Sequence, residues 1–207
     1  MSTLENLLPI AILLWKSTAG ASAPAPARPA SGLKPRGTGR TLANEVPRVR
    51  TGEDDPKAWA WRRYQEILAA LGEINLAQSA NYKEIALSLL AQWAHESNRG
   101  KNEFNHNFGG WKAWKGDPFF TARDVQSGPA SAVVRWSAWS DFPRAVRAQI
   151  ERLYHTFPTA WAMLLADPWT SSWVEELGRR GYYAPAGVRT YAAAWARHRA
   201  ELAELLK

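Results

Sequence analysis

The sequence predicts a mainly α fold of the α+β kind: a helical lobe with a small β-hairpin lobe, preceded by a flexible N-terminal arm. Three observations carry this. Composition changes sharply near residue 55, from an Ala/Pro/Gly/Ser-rich stretch to one with regular apolar spacing. Apolar residues then recur at the helical interval of about 3.6 residues. Residues 101–140 lose that interval, and there two short runs of β-formers flank Gly128–Pro129.

The chain has 207 residues, enough for one domain and an appendage. Residues 1–16 contain an apolar run, Leu7–Trp15, too short to cross a bilayer as a helix. The run reads as an anchor, a docking segment or a signal-like segment. Ala21–Ser22–Ala23 suits a cleavage site, whereas no Lys or Arg precedes the run and Glu5 is its only early charge, so a cleaved and an uncleaved start both stay open. Residues 17–55 have almost no aliphatic clusters to offset their ordering entropy, and read as a Pro/Ala/Gly-rich linker.

From 56 to 207 the punctuation is helical. Asp55 before Pro56 marks an N-cap and first turn, opening a helix that runs over Ala58–Leu71 to Gly72. Asn81 with Glu84 three residues on resembles a capping box for a helix over 82–97 that ends before Gly100. The runs Phe119–Val125 and Ala132–Ala138 form the expected hairpin. Ser140 or Asp141 caps a helix to about His155; Pro158–Ala166 and Pro168–Leu177 follow, the latter stopping at Gly178. The last helix, 188–206, puts Val188, Tyr191, Trp195, Leu202 and Leu206 on one face.

Composition narrows the chemistry. With no cysteine there is no disulfide framework, thiol nucleophile, iron–sulfur cluster or Cys-based zinc site. His95, His106, His155 and His198 show no ligand spacing, and neither a phosphate-binding glycine loop nor a Gly-x-Ser-x-Gly elbow is present, so no metal or cofactor is expected. A net charge of +7 and 12 tryptophans favour an anionic or sugar-like partner. The basic residues do not cluster and acids are interleaved, so nucleic acid is not expected.

Tyr82, Ile85, Leu89 and Trp93 form one apolar stripe, and the next position on that stripe is Glu96. Desolvation at the end of a buried stripe disfavours the charged carboxylate, and the negative end of the helix dipole pushes the same way. Such a carboxyl group keeps its proton near neutral pH and can donate it. The competing reading is a solvated Glu at a frayed helix end, or one paired with Arg99 or Lys101.

The flanking residues bear on that choice. Ala91-Gln92-Trp93-Ala94-His95-Glu96-Ser97-Asn98-Arg99-Gly100-Lys101 is followed by Asn107-Phe108-Gly109-Gly110-Trp111-Lys112-Ala113. With Arg135-Trp136-Ser137-Ala138-Trp139, then Gly181-Tyr182-Tyr183-Ala184 with Tyr191-Ala192, these four stretches come in the same order as four motifs of a known family. Over about 82–205 the chain resembles the glucosaminidase family of peptidoglycan hydrolases. That resemblance implies a lysozyme-like fold, with a glycan cleft between a helical and a β lobe. It also implies hydrolysis of the β-1,4 bond after N-acetylglucosamine in peptidoglycan glycan strands. Glu96 takes the family's general-acid position, Asn107, Phe108 and Gly109 its cleft loop, and Tyr183 and Tyr191 its cleft tyrosines. Trp111 and Lys112 are read as stacking on a sugar ring and contacting an acidic muramyl or peptide group, with surface packing as the alternative.

A hydrolytic glycosidase usually sets a second carboxylate opposite the acid. Direct alignment puts Arg123 where the family has Glu, with Asp124 one residue on and Asp117 a poorer candidate. A one-residue slip in a strand reverses the face, so Asp124 serves only if a bulge intervenes. If it does not, Tyr183 or a backbone-held water must position the nucleophile. A lytic transglycosylase using the same Glu, or a non-catalytic glycan-binding module, are the competing functions. The expected setting is outside the cytoplasm at the cell wall or in a phage virion, with the N-terminal arm docking to a membrane or a larger assembly such as a virion.

Overall fold

The computed structural model describes residues 44–74, 76–123, 133–183 and 187–207. The hydrophobic start, most of the stretch read as linker, the hairpin turn at Gly128–Pro129 and Asp124 lie outside the described residues. The elements are α1 (Pro56–Glu73), a short 3₁₀ turn (Leu76–Gln78), α2 (Tyr82–Glu96), β1 (Phe119–Arg123), β2 (Val133–Ser137), α3 (Phe142–Thr156), α4 (Pro158–Ala166), α5 (Ser172–Arg179) and α6 (Val188–Leu205). The architecture is mainly helical with one small antiparallel sheet, as the spacing predicts.

Helix starts follow their caps. The Asp55 side chain accepts from Lys57 N at 2.8 Å ahead of Pro56, and Asp141 accepts from Arg144 N at 2.9 Å. Asn81 departs from the expected capping box, since its side chain makes no cap hydrogen bond. Glu84 is drawn away into an ion pair with Arg199 of α6. The fifth helix begins at Ser172, later than Pro168. Asp167 accepts from Trp169 N, and Ser171 donates to Glu175 at 2.8 Å, so side-chain bonds hold the preceding residues in turns.

α2 is the centre of the domain. Ile85 through Ala94 are buried on every side, so its apolar stripe is one face of a helix that has no wet face over that length. α1 and α6 flank it, α3 packs on α1 and α4, and α5 packs on α4 and α6. Trp59, Trp93, Trp173 and Trp195 lie wholly inside this body, which makes them core residues.

The β lobe pairs Phe119 with Ser137 through Arg123 with Val133. Both edges of this two-stranded sheet are covered. On the β2 side, Ala113 N donates to Arg135 O (2.9 Å) and Ser137 N to Trp111 O (3.0 Å). On the β1 side, Phe119 N donates to Asn44 O (2.9 Å) and Val46 N to Phe119 O (2.8 Å). Residues 44–55, within the stretch that composition assigns to a linker, thus lie on the domain. They are held by hydrogen bonds, which an apolar-content argument does not register. Val49 N donates to Asn105 Oδ1 (2.9 Å) and Asn105 Nδ2 to Pro47 O (2.9 Å).

One buried carboxylate fastens these parts. Glu103, 0% exposed, accepts from Arg63 Nη2 (2.8 Å), Trp59 Nε1 (3.1 Å) and Thr51 Oγ1 (3.1 Å). The Arg63 guanidinium in turn lies over the Phe142 ring at 3.7 Å. The N-terminal segment, α1, α3 and the loop after α2 therefore meet at one charge pair. Removing the charge from one partner leaves the other buried without compensation, which costs about 3–5 kcal/mol. Glu103→Gln is expected to lower stability by that order in urea unfolding; a change under about 1 kcal/mol would show that the pair is not the fastening.

Candidate active site

Glu96 is the last residue of α2. The helix stops there because Ser97 turns its hydroxyl back to Trp93 O (2.7 Å) and accepts from Gly100 N (3.0 Å). Asn98, Arg99, Asn105 and His106 then take positive φ, folding the chain into tight turns. The loop closes on itself through Asn107, which donates Nδ2 to Trp111 O (2.8 Å) and accepts from Trp111 N at 2.9 Å. This closure brings Gly110, at φ 62°, against the carboxyl: a Cβ there would stand 3.3 Å from Glu96 Oε2.

The other carboxyl oxygen is taken. Tyr191 of α6 donates its hydroxyl to Glu96 Oε1 at 2.6 Å. Tyr183 stacks on Tyr191 with centroids 4.0 Å apart and planes 8° from parallel; His95 meets Tyr191 edge-on at 4.5 Å. The Tyr183 hydroxyl donates to Val174 O (2.6 Å). Tyr183 is therefore a buttress for Tyr191, and its hydroxyl is already committed rather than set to hold a nucleophile.

Burial pushes the half-buried Glu96 carboxyl up to about 7, against the opposing hydrogen bond from Tyr191. Glu96 in turn helps burial to hold the Tyr182 and Tyr191 phenols well above their ordinary range. Burial is also the main reason that Tyr183 is raised to about 12 and that His95 is lowered. The site thus holds neutral phenols around a carboxyl group that is half protonated near neutrality.

The remaining residues nominated from the sequence have different places. Phe108 is buried between Trp93 (4.2 Å) and Phe142 (4.6 Å), so it anchors the loop and shows no face to a cleft. Trp111 is also buried, its Nε1 bonded to Gln149 Oε1 at 3.0 Å, which corrects the reading of it as an open stacking surface. Lys112 is exposed and pairs across to Trp136 on the edge of β2. Asp117 accepts from Trp114 N (3.0 Å) and pairs with the buried Arg152, which also donates to Ser137 Oγ (2.8 Å). Asp117 is a brace between the lobes.

Tyr182 was not singled out by sequence. It is half-buried against the core and donates to Gly109 O at 2.6 Å, fixing the loop beside Glu96. The Tyr182–Tyr183 doublet was visible; which ring faces the loop was not.

No protein-family profile matches the chain, and no curated protein matches it. Among solved structures it is similar to the crystal structure of a peptidoglycan hydrolase mutant from Sphingomonas sp. A1. The TM-score is 0.54 at 19% identity, over 72% of this chain and 97% of that one. At that identity the likeness is one of fold, and it agrees with the lysozyme-like α+β arrangement expected from the motifs.

A Cβ on Gly109 would come within 2.2 Å of Gln149 Oε1 and 2.5 Å of Trp111 Nε1, the two ends of one hydrogen bond. Gly109→Ala is expected to wedge that bond apart, cost about 1–3 kcal/mol, and admit water beside Glu96. Carboxyl ¹³C NMR should then find Glu96 titrating closer to an ordinary glutamate. An unchanged titration would mean that the loop does not set its environment.

Proposed function

We propose that the domain hydrolyses the β-1,4 glycosidic bond of peptidoglycan after N-acetylglucosamine, with Glu96 as the general acid. The observation that carries this reading is the geometry of the carboxyl. Tyr191 is placed to donate to Oε1, so the acid proton belongs on Oε2, the oxygen beside Gly110. Gly110 has no side chain there, which leaves room for a glycosidic oxygen to approach. A carboxyl raised towards 7 keeps an appreciable protonated fraction at neutral pH, while remaining acidic enough to give the proton up. After transfer, the carboxylate is stabilised by the Tyr191 hydrogen bond.

The fold likeness to a peptidoglycan hydrolase supports the substrate class. The net charge of +7 suits an anionic wall polymer. Hydrolysis also needs a group to activate water, and the ladder from Phe119 to Arg123 carries no bulge, so the register argues against Asp124 as the second carboxylate. Asp124→Asn should then lower kcat by less than about threefold. A loss of about 10²-fold or more with little change in glycan binding would install Asp124 as base or electrostatic stabiliser.

The deciding experiment digests purified peptidoglycan with the full chain and identifies the new ends by mass spectrometry. N-acetylglucosamine at the reducing ends supports the proposal. Anhydro-muramyl ends would make the protein a lytic transglycosylase, and binding without cleavage would make it a glycan-binding module. Glu96→Gln keeps shape and the Tyr191 contact but has no proton to give, so cleavage should fall by about 10²–10⁴-fold. Because the reactive form is the protonated one, the wild-type rate should decline as pH rises through about 7. A rate that holds steady to pH about 9 would exclude Glu96 as the acid.

A further inference from the structure

Trp114 is about half exposed, yet its indole is firmly mounted. The Arg152 guanidinium lies over one face of the ring at 4.4 Å, and Arg152 itself is buried. That guanidinium is fixed in turn by Ser137 Oγ (2.8 Å), Lys112 O (3.3 Å) and the Asp117 carboxylate. Asp117 completes the mount. Its Oδ2 accepts from Trp114 N at 3.0 Å, and its own N donates to Trp114 O at 3.1 Å. With one face on Arg152, the indole shows its opposite face and rim to solvent. Single exposed tryptophans are ordinary, and Trp61 and Trp169 are about as exposed. Among the described residues neither of those has a ring or a cation against it, so the mount sets Trp114 apart.

Trp114 also stands in line with Glu96. Gly110 lies beside Glu96 Oε2, and Tyr182 holds Gly109 O. Trp111 meets Tyr182 edge-on at 5.1 Å, and on from Trp111 Arg152 lies 5.8 Å from its ring. Arg152 then carries the line to Trp114. The backbone follows the same course, since Trp111 O and Ala113 N bond along the edge of β2. An extended run from Gly110 to Trp114 covers roughly 13 Å at ~3.3 Å per residue. This line is the joint between the lobes: Ser137 belongs to β2 and Arg152 to α3.

We propose that the open face of Trp114 is a glycan subsite, stacking on a pyranose ring of the strand a few sugars away from the bond beside Glu96. The C–H bonds on a pyranose face are apolar with a slight positive charge, which suits the negative face of an indole. A ring already held from below loses little further freedom on binding. The stacking role that the sequence offers Trp111, whose ring is buried, thus falls to Trp114. This subsite rests on the glycosidase reading for its substrate, and its test reads binding apart from cleavage.

The test uses the full chain carrying Glu96→Gln, so that strands stay intact, with peptidoglycan glycan strands freed of stem peptides and sorted by length. Binding is read by calorimetry and by indole N–H NMR, the Trp114 signal being the one lost in Trp114→Phe. Long strands should move that signal. Trp114→Ala should weaken their binding about tenfold, the scale of one aromatic anchor, and leave disaccharide binding unchanged. Trp114→Phe should restore most of the loss, and Trp169→Ala should cause none. With Glu96 restored, Trp114→Ala should raise KM on long strands more than it lowers kcat.

Long strands bound equally by Trp114→Ala and its parent, or an equal loss for disaccharide and long strands, overturns the proposal. So does a dependence on Trp114 that appears only when stem peptides are left on the strands. Should Trp114→Ala not fold, the NMR signal still decides: a Trp114 indole unmoved by saturating long strands is not a subsite. A wild-type protein that cleaves no glycan while the dependence on Trp114 persists would sink the glycosidase reading and leave the subsite in place. Cleavage without that dependence does the reverse.

Discussion

A carboxylate with no access to water must be matched by donors, and Glu103 is matched by three donors from two separate parts of the chain. Thr51, Trp59 and Arg63 all donate to it. Because Thr51 lies on the N-terminal segment and Trp59 and Arg63 on α1, the cost of leaving Glu103 unpaired sets where those two segments lie. The loop from Ser97 to Gly110 is thereby fixed at its middle. Its near end is set by the Ser97 turn at the end of α2, and its far end by the Asn107 closure onto Trp111. The position of Gly110 beside Glu96 follows from these anchors.

Two carboxylates of this one loop region show how partners divide roles. Glu103 has a guanidinium and two neutral donors, and its part is structural. Glu96 has burial and a phenol, and burial holds its proton up to about pH 7. The contrast explains why Arg99, which the sequence offers as a partner for Glu96, does not serve. Arg99 pairs with Glu201 towards the end of α6, while Glu96 meets Tyr191 in the first turn of the same helix and lies beside Gly110. An arginine on Glu96 would favour the carboxylate and remove the acid.

The tryptophans divide by burial in a way composition does not reveal. Trp59, Trp93, Trp173 and Trp195 fill the helical body, and Trp111 ties the loop to α3 through Gln149. Trp61, Trp114 and Trp169 are about half exposed. An abundance of tryptophan therefore speaks first to a core built from a few large side chains. Trp114 sits over the buried Arg152 at 4.4 Å, so even an exposed indole here is braced by the joint between the lobes.

Caps and apolar spacing act over a few residues, and what depends on them was legible. α4 spans Pro158–Ala166 as read, α2 ends within a residue of its expected stop, and the three-residue step from Trp93 lands on Glu96 at the edge of the core. The capping box at Asn81 failed because a distant partner, Arg199, claimed Glu84. Partner choice is a long-range matter throughout the site. Tyr191 meets Glu96 across 95 residues and Tyr182 meets Gly109 across 73. Equally, nothing in the composition of residues 44–55 signals that their backbone completes the edge of β1. The sequence by itself determined the helices and the place of Glu96 at the edge of the core, because local spacing selects both. Only the tertiary structure decided which tyrosine meets Glu96 and which aromatic rings are buried, because both depend on groups that folding alone brings together.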